Sequence, residues 1–363
     1  MVIVESDESA AERVGVFLRA GRSGPSPTPE PVFVVTDPDA ADGSELVIDA
    51  LQDEPEARCR AYPELGKRLP GGTVYVASDP EEMERIEAFL ADPTSLIGLS
   101  VFGPAVFRQL VEVVPSHRTG MQASRAAHRL VKLMGKVPVP VPVGRASVGT
   151  RLLNRLYETA DTLLIEGAVP HELDEAMLAF GYDMGVYEAQ DLIGLDVAYA
   201  ARKRQADTRN PERRYVPISD RMVEEGRLGK KVGVGWYRYP GGGGAVIDPL
   251  VEDLVREEAW FAGIEPRPFT VATMQRRLLL GLIHEGALML EDGTAPDARQ
   301  IDRVAVAGLG FPSGMGGPMA CADRLGLAAI RADLADLAQE DPVVWCVPGV
   351  IDDCLAGNCA LSD

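Results

Sequence analysis

A chain of 363 residues, 46% hydrophobic and 25% charged, has the mass for two or three domains and the composition of a globular protein. Its 55 acidic and 36 basic residues give a formal charge of −19, which disfavours nucleic acid as a partner, because phosphate backbones call for a clustered basic surface. No apolar run reaches the ~18–20 residues that a membrane helix needs, and the first residues lack the pattern of a secretory signal, so a cytoplasmic location is expected.

In chain order, short β-rich apolar runs come first: "MVIVES" (1–6), "PVFVVTD" (31–37), "ELVIDAL" (45–51), "GTVYVAS" (72–78), "LIGLSVF" (96–102) and "VPVPVPV" (137–143). Helical stretches such as "EPEARCRAYPELGKRL" (54–69) and "ASRAAHRLVKLMG" (123–135) lie between them, and "AGRSGPSPTPEP" (20–31) has the composition of a loop. Alternation of this kind predicts a mostly parallel sheet with helices on its faces.

From about Gly144 the pattern changes to long amphipathic helices, and an internal repeat emerges. "RLLNRLYETADTLLIEG" (151–167) and "RLLLGLIHEGALMLEDG" (277–293) share an Arg-Leu-Leu start and a Gly sixteen residues after the Arg. Each is followed by an acidic position (Asp174, Asp302), a Gly-aromatic loop ("FGYDMG", "LGFPSGMGG") and Asp-x-x-Gly-Leu, starting at Asp191 and at Asp323. Four features matched in order indicate a duplicated helical unit that buries apolar faces against its own copy.

The five cysteines (Cys59, Cys321, Cys346, Cys354, Cys359) are odd in number and scattered, which argues against a disulfide framework. Cys354 and Cys359 have no neighbouring His and fit no zinc spacing, and the four histidines (His117, His128, His171, His284) form no cluster, so no metal site is expected. His284, in mid-helix of the second repeat, is a candidate for a polar contact between repeats. Met177, Met184, Met222 and Met289 are expected in the core.

The first copy and the segments after it, "FGYDMGVYEAQDLIGLDVAYAARKRQ" (180–205) and "MVEEGRLGKKVGVGWYRY" (222–239), resemble the C-terminal domain of the 3-hydroxyacyl-CoA dehydrogenase family. The tandem second copy, ending in "GLGFPSGMGGPMACADRLGL" (308–327), is similar to the larger bifunctional β-oxidation enzymes, whose hydratase half would lie upstream. The fold this implies is α/β plus all-α: an incomplete Rossmann-like parallel sheet over 1–143, then two tandem helical domains over 144–262 and 263–363. The activity it implies is oxidation of (S)-3-hydroxyacyl-CoA to 3-ketoacyl-CoA with NAD, in which a His base oriented by a Glu takes the hydroxyl proton.

Taken position by position, the resemblance is uneven. A Rossmann site uses G-x-G-x-x-G between its first strand and first helix, so that backbone amides can approach the pyrophosphate. Here "VIVES" matches the second strand, with Glu5 at the acidic position that holds the adenosine ribose, and the first strand with its glycine loop is expected to be missing. "PGGGGA" (240–245) and "GLGFPSG" (308–314) are turn glycines and do not replace it. The family's His-Phe-Phe-Asn-Pro segment is "SVFGP", which puts Ser100 at the catalytic His and Gly103 at the Asn; Glu112, twelve residues past Ser100, is the retained orienter. Thr150 stands at a substrate-contacting Asn, and Asp79, Pro80 and Glu81 replace an Asn-Thr-Ser run. Asp53 matches an acidic position near the nicotinamide and Arg58 a basic one. The expectation is a catalytically impaired or non-catalytic relative that pairs as a homodimer or with a hydratase or thiolase subunit, acyl-CoA being its possible ligand. The alternatives are an active dehydrogenase completed by a partner subunit and a fragment whose start is misplaced.

Overall fold

The computed structural model describes residues 2–4, 8, 12, 33–49, 55–77, 80–104, 107–143, 147–204, 206 and 209–362. It divides into two compact units: residues 1–100 with 113–130, and residues 101–112 with 131–363.

In the first unit, β1 (Val2–Val4) pairs in parallel with β2 (Phe33–Val35), Val2 opposite Phe33. Then come β3 (Leu46–Asp49), helix α1 (Pro55–Arg68), β4 (Val74–Ala77), the short α2 (Met83–Glu87) and β5 (Leu96–Val101). β3, β4 and β5 are parallel neighbours, with Leu46 opposite Val74 and Val76 opposite Ile97. All four residues of β4 are buried, as a strand covered on both faces requires, and its apolar run reflects this. β6 (Leu110–Val114), α3 (Met121–Leu133) and β7 (Val137–Pro140) complete a five-stranded sheet in the order β3-β4-β5-β6-β7. The predicted strands and both predicted helical stretches are present, and the parallel-sheet expectation is borne out. β6 is the strand that the apolar pattern did not single out, because "QLVEVV" carries a buried Glu at its centre. The Pro-rich stretch 20–31 lies outside the described residues.

The second unit, which also holds β7 and most of β6, is mainly helical from Val148 on. α4 (Val148–Ile165), α5 (Pro170–Phe180), α6 (Val186–Ile193), α7 (Leu195–Arg204) and α8 (Ile218–Glu224) precede a small β8–β9 hairpin (Tyr237–Arg238, Val246–Ile247), where "PGGGGA" makes the turn. After the hairpin come α9 (Pro249–Phe261), α10 (Val271–Glu291), α11 (Ala298–Val304), a π-helical turn (Ala305–Leu309), α12 (Pro318–Leu325), α13 (Leu327–Glu340) and α14 (Gly349–Gly357).

The two repeat helices, α4 and α10, start alike because Ser147 and Thr270 each accept a hydrogen bond from the amide three residues on. They pack on each other, and their charges are exchanged. Arg151 at the start of α4 pairs with Asp292 (2.5 Å) and Glu285 (2.7 Å), at and near the end of α10. Arg277 of α10 pairs with Glu166, at the end of α4 (2.9 Å), and with Glu340. Part-exposed pairs of this kind are worth about 1 kcal/mol or less each, so they set register more than stability. Burial supplies the stability: Leu152, Leu163, Leu164, Leu282, Ile283 and Ala287 are all fully buried in one core that spans both repeats. Phe311 of the second repeat packs edge-on against Phe180 (5.8 Å) and Tyr182 (5.7 Å) of the first.

The repeated acidic residues have matching structural roles. Asp174 accepts the amides of Tyr187 and Glu188 at the start of α6; Asp302 accepts those of Met319 and Ala320 at the start of α12. Asp191 accepts the amides of Trp236 and Tyr237, and Asp323 those of Leu361 and Ser362. Four carboxylates thus tie down backbone amides that lack helical partners, which is why they recur at fixed offsets. Gly185 and Gly317 recur for the same reason, since a Cβ on either would fall within 2.4 Å of its Asp side chain. Met177, Met184, Met222 and Met289 are buried, as expected.

Candidate functional site

Glu112 is the retained residue of the expected catalytic set, and it is fully buried on β6. Its carboxylate accepts hydrogen bonds from the Ser147 hydroxyl and from the Gly149 amide (3.0 Å), at the start of α4. Ser147 Oγ also accepts the Thr150 amide (2.9 Å) and stands 2.8 Å from Thr150 Oγ1, within reach of that hydroxyl as a donor. Burial pushes the Glu112 carboxyl above its ordinary value, while Ser147 and the amides of Gly149 and Val148 pull it down. A carboxylate placed over the amides of a helix start is held by the same interaction as Asp174 and Asp302. Glu291 does likewise, accepting the Val350 amide (2.8 Å) at the start of α14.

The helix start that holds this carboxylate is closely packed. Gly149 lies under the Phe102 ring so closely that a Cβ would be 2.4 Å from Cζ, and Phe102 is 5% exposed. Gly103, at the position expected for an Asn, lies against Ile193, whose Cγ1 would be 2.7 Å from a Cβ there. Replacing Gly149 with alanine is therefore expected to destabilise the chain by about 1–3 kcal/mol, although alanine is the better helix former. Urea denaturation measures it, and Phe102→Leu in the same chain should recover part of the loss. An unchanged midpoint would mean that the ring yields freely.

Ser100 is half-buried near the end of β5, in the other compact unit, and Thr150 is half-buried in the first turn of α4. The structure therefore brings Thr150, through Ser147, to Glu112. Glu5, Asp53 and Asp79 lie outside the described residues, and Arg58 is described only as part of the α1 backbone.

The described residues do not form a pyrophosphate cradle. In the first unit, Gly120 is the one described glycine between a strand end and the helix after it, and a Cβ on it would sit 3.0 Å from the Thr94 carbonyl oxygen. At the end of β3, Asp49 is buried and accepts the Tyr62 hydroxyl (2.7 Å). Among the described residues no group of three or more His, Cys, Asp or Glu is placed to hold a metal. Nor, among the described residues, is any helix long and apolar enough to cross a membrane.

His284 makes the contact between repeats that its position suggested. Its Nδ1 accepts from Arg155 Nη2 (3.3 Å), Nε2 lies 3.3 Å from Cys346 Sγ, and Arg155 stacks on Trp345 (4.1 Å). Burial, with help from the Arg155 and Arg213 charges, pushes its pKa down to about 3, which keeps the ring neutral at physiological pH. Sequence periodicity alone gave no sign of Arg155, a buried cation in the middle of α4.

Comparison with known proteins agrees with this architecture. Residues 18–144 match the model of the 3-hydroxyacyl-CoA dehydrogenase NAD binding domain, and residues 148–239 match that of the C-terminal domain of the same family. The peroxisomal bifunctional enzyme of Danio rerio is 35% identical over 79% of this chain and 42% of its own. The fatty acid oxidation complex subunit alpha of Acinetobacter baumannii (strain SDF) is 28% identical over 86% of this chain and 44% of its own. The chain thus spans less than half the length of these relatives. The crystal structure of 3-hydroxybutyryl-CoA dehydrogenase from Escherichia coli K12 superposes with a TM-score of 0.72 at 20% identity, covering 97% of this chain and 92% of that one, a likeness of fold. With both domain models matched in order and a relative above 30% identity over most of this chain, the chain belongs to the 3-hydroxyacyl-CoA dehydrogenase family, whose cofactor is NAD.

Proposed function

We propose that this chain is a catalytically impaired or non-catalytic member of its family, of the fatty acid β-oxidation type, that keeps its helical repeats for association with other acyl-CoA enzymes. The observation that carries the reading is the state of Glu112: its carboxylate is held by Ser147 and by the amide of Gly149, which itself lies under Phe102. Serine at position 100 supplies no group that ionises near neutrality, and loss of a general base typically costs about 10²–10⁴-fold in rate. In this reading Ser100 stands in for the base, Thr150 for a substrate-contacting Asn, and Glu5, Asp53 and Arg58 are remnants of the cofactor contacts. The partners are a second copy or a hydratase or thiolase subunit, acyl-CoA is the ligand class, and the location is cytoplasmic.

The test is acetoacetyl-CoA-dependent oxidation of NADH by the purified chain at high enzyme concentration, beside Ser100→His. We expect no turnover above background in either protein, because one imidazole leaves Gly103 and Thr150 at the positions of the family's two Asn residues. Measurable turnover in the unmodified chain would sink the proposal.

One observation favours a second reading, that of an active dehydrogenase oxidising (S)-3-hydroxyacyl-CoA once a partner subunit completes it. The chain aligns with only 42–46% of relatives that are bifunctional enzymes or complex subunits. That reading requires activity only in a complex, with a hydratase or thiolase chain co-purifying.

A further inference from the structure

Arginines without an acidic partner are unexpected in a chain of 55 acidic residues. Among the described residues, five arginine side chains make no ion pair, hydrogen bond or ring contact: Arg118, Arg125 and Arg129, on or just before α3, and Arg299 and Arg303 on α11. Arg299 and Arg303 flank a cavity.

That cavity is an open groove of about 420 Å³ within the second unit. Arg299 and Arg303, four residues apart on one helix face, line it together with Val137, Val306, Ala307 and Ser313. Three local features build it. Gln300 Nε2 donates to the Pro140 carbonyl oxygen (3.3 Å), which fixes α11 against β7. The π-helical turn after α11 leaves Val306 and Ala307 half-buried, and the Ala307 carbonyl oxygen accepts the Gln109 amide (2.9 Å). The loop 312–317 closes the groove with an exposed Ser313. Asp302 also borders it, but each of its oxygens is engaged by a backbone amide, Met319 or Ala320, and neither arginine pairs with it.

We infer that this groove binds a phosphate-bearing ligand, with Arg299 and Arg303 on the phosphate, the Ser313 hydroxyl as a further donor, and the ligand's apolar part on Val137, Val306 and Ala307. Two guanidinium forks one helical turn apart match the charge and geometry of a phosphate or pyrophosphate. The strongly negative chain supplies no general attraction for an anion, so capture depends on local groups of this kind. Val137 comes from β7, within the segment that matches the NAD binding domain, and the other lining residues come from the second repeat.

The test is titration calorimetry with inorganic pyrophosphate and with CoA, on the unmodified chain and on an Arg299→Ala/Arg303→Ala double variant, with Arg118→Ala as a control for a general loss of charge. The expected result is saturable, salt-sensitive binding that the double variant weakens at least about tenfold and Arg118→Ala leaves unchanged. CoA binding more tightly than pyrophosphate would assign an organic phosphate as the ligand; pyrophosphate binding more tightly would assign a free one. Equal affinity in the double variant and the unmodified chain, or no saturable binding below millimolar concentration, would overturn the inference. Both side chains are exposed, so unchanged circular dichroism and melting are expected to confirm that the double variant folds.

Discussion

Replacing Asp191 with alanine is expected to lower the unfolding free energy by about 3–5 kcal/mol, while the same change at its repeat counterpart, Asp323, should cost about 1 kcal/mol or less. Asp191 is 1% exposed; its Oδ1 accepts the Trp236 amide (2.9 Å), and its Oδ2 accepts the Tyr237 amide (2.9 Å) and the Tyr239 hydroxyl (3.0 Å). Removing the carboxylate strands two buried amides and a hydroxyl at once, beneath a Trp236 ring packed 4.4 Å from Tyr187. Relief from burying a charge offsets part of this loss, since burial already pushes the Asp191 pKa up to about 6. Asp323 holds the amides of Leu361 and Ser362, close to the end of the described chain, and is itself half-buried, so water can replace it there. Urea denaturation of the two variants measures the contrast. Equal losses would mean that the two copies share the load in a way their burial does not indicate.

The repeat was legible in the sequence because its marks are obligatory. A carboxylate that caps a helix from afar, and the glycine that lets it approach, must recur at one spacing in both copies, so Asp174/Asp302, Asp191/Asp323 and Gly185/Gly317 survive as a pattern. The alternating strands were legible for a similar reason, since parallel strands buried on both faces are apolar throughout, as in β4. The environment of Glu112 was not. That Phe102 covers Gly149 and Ile193 covers Gly103 depends on residues brought together from three places in the chain, and no spacing rule encodes that. The exchange of ion pairs between Arg151 and Arg277 was equally hidden, because it results from the way α4 and α10 pack and not from either helix alone. The unpartnered Arg299 and Arg303 were hidden too, since in sequence they look like any other surface arginines.

The second large expected effect is on pH dependence: stability should fall as pH rises from about 4 to 7, with Asp174 contributing about 2–4 kcal/mol of the change. Asp174 Oδ1 accepts the Tyr187 amide, and Oδ2 accepts the Glu188 amide and the Tyr237 hydroxyl, each at 2.9 Å. Those three bonds pull its pKa down, yet burial outweighs them and pushes it up to about 7, against an ordinary value of 3.8. The folded carboxyl therefore keeps its proton over a range in which the unfolded one has released it. The folded state binds more protons there, so raising the pH favours unfolding, and the stabilisation is complete only below the unfolded value. Asp161 and Asp302, pushed up to about 6 mainly by burial, add slopes of the same sign. Asp292 acts in the opposite sense, since hydrogen bonds from Thr294 and Arg151 outweigh its burial and hold it below the ordinary value, but its window lies under pH 4. Urea denaturation at intervals from pH 4.5 to 8, on the unmodified chain and on Asp174→Asn, isolates the Asp174 share, because asparagine does not titrate. The variant should show the flatter curve; identical slopes would mean that Asp174 is ionised throughout and that its three donors prevail over burial. Strongly shifted carboxyls usually draw attention as catalytic acids. Here the residues raised furthest hold helix starts and loops in the repeats, which gives their proton affinity a structural cause and removes it as support for a surviving catalytic centre.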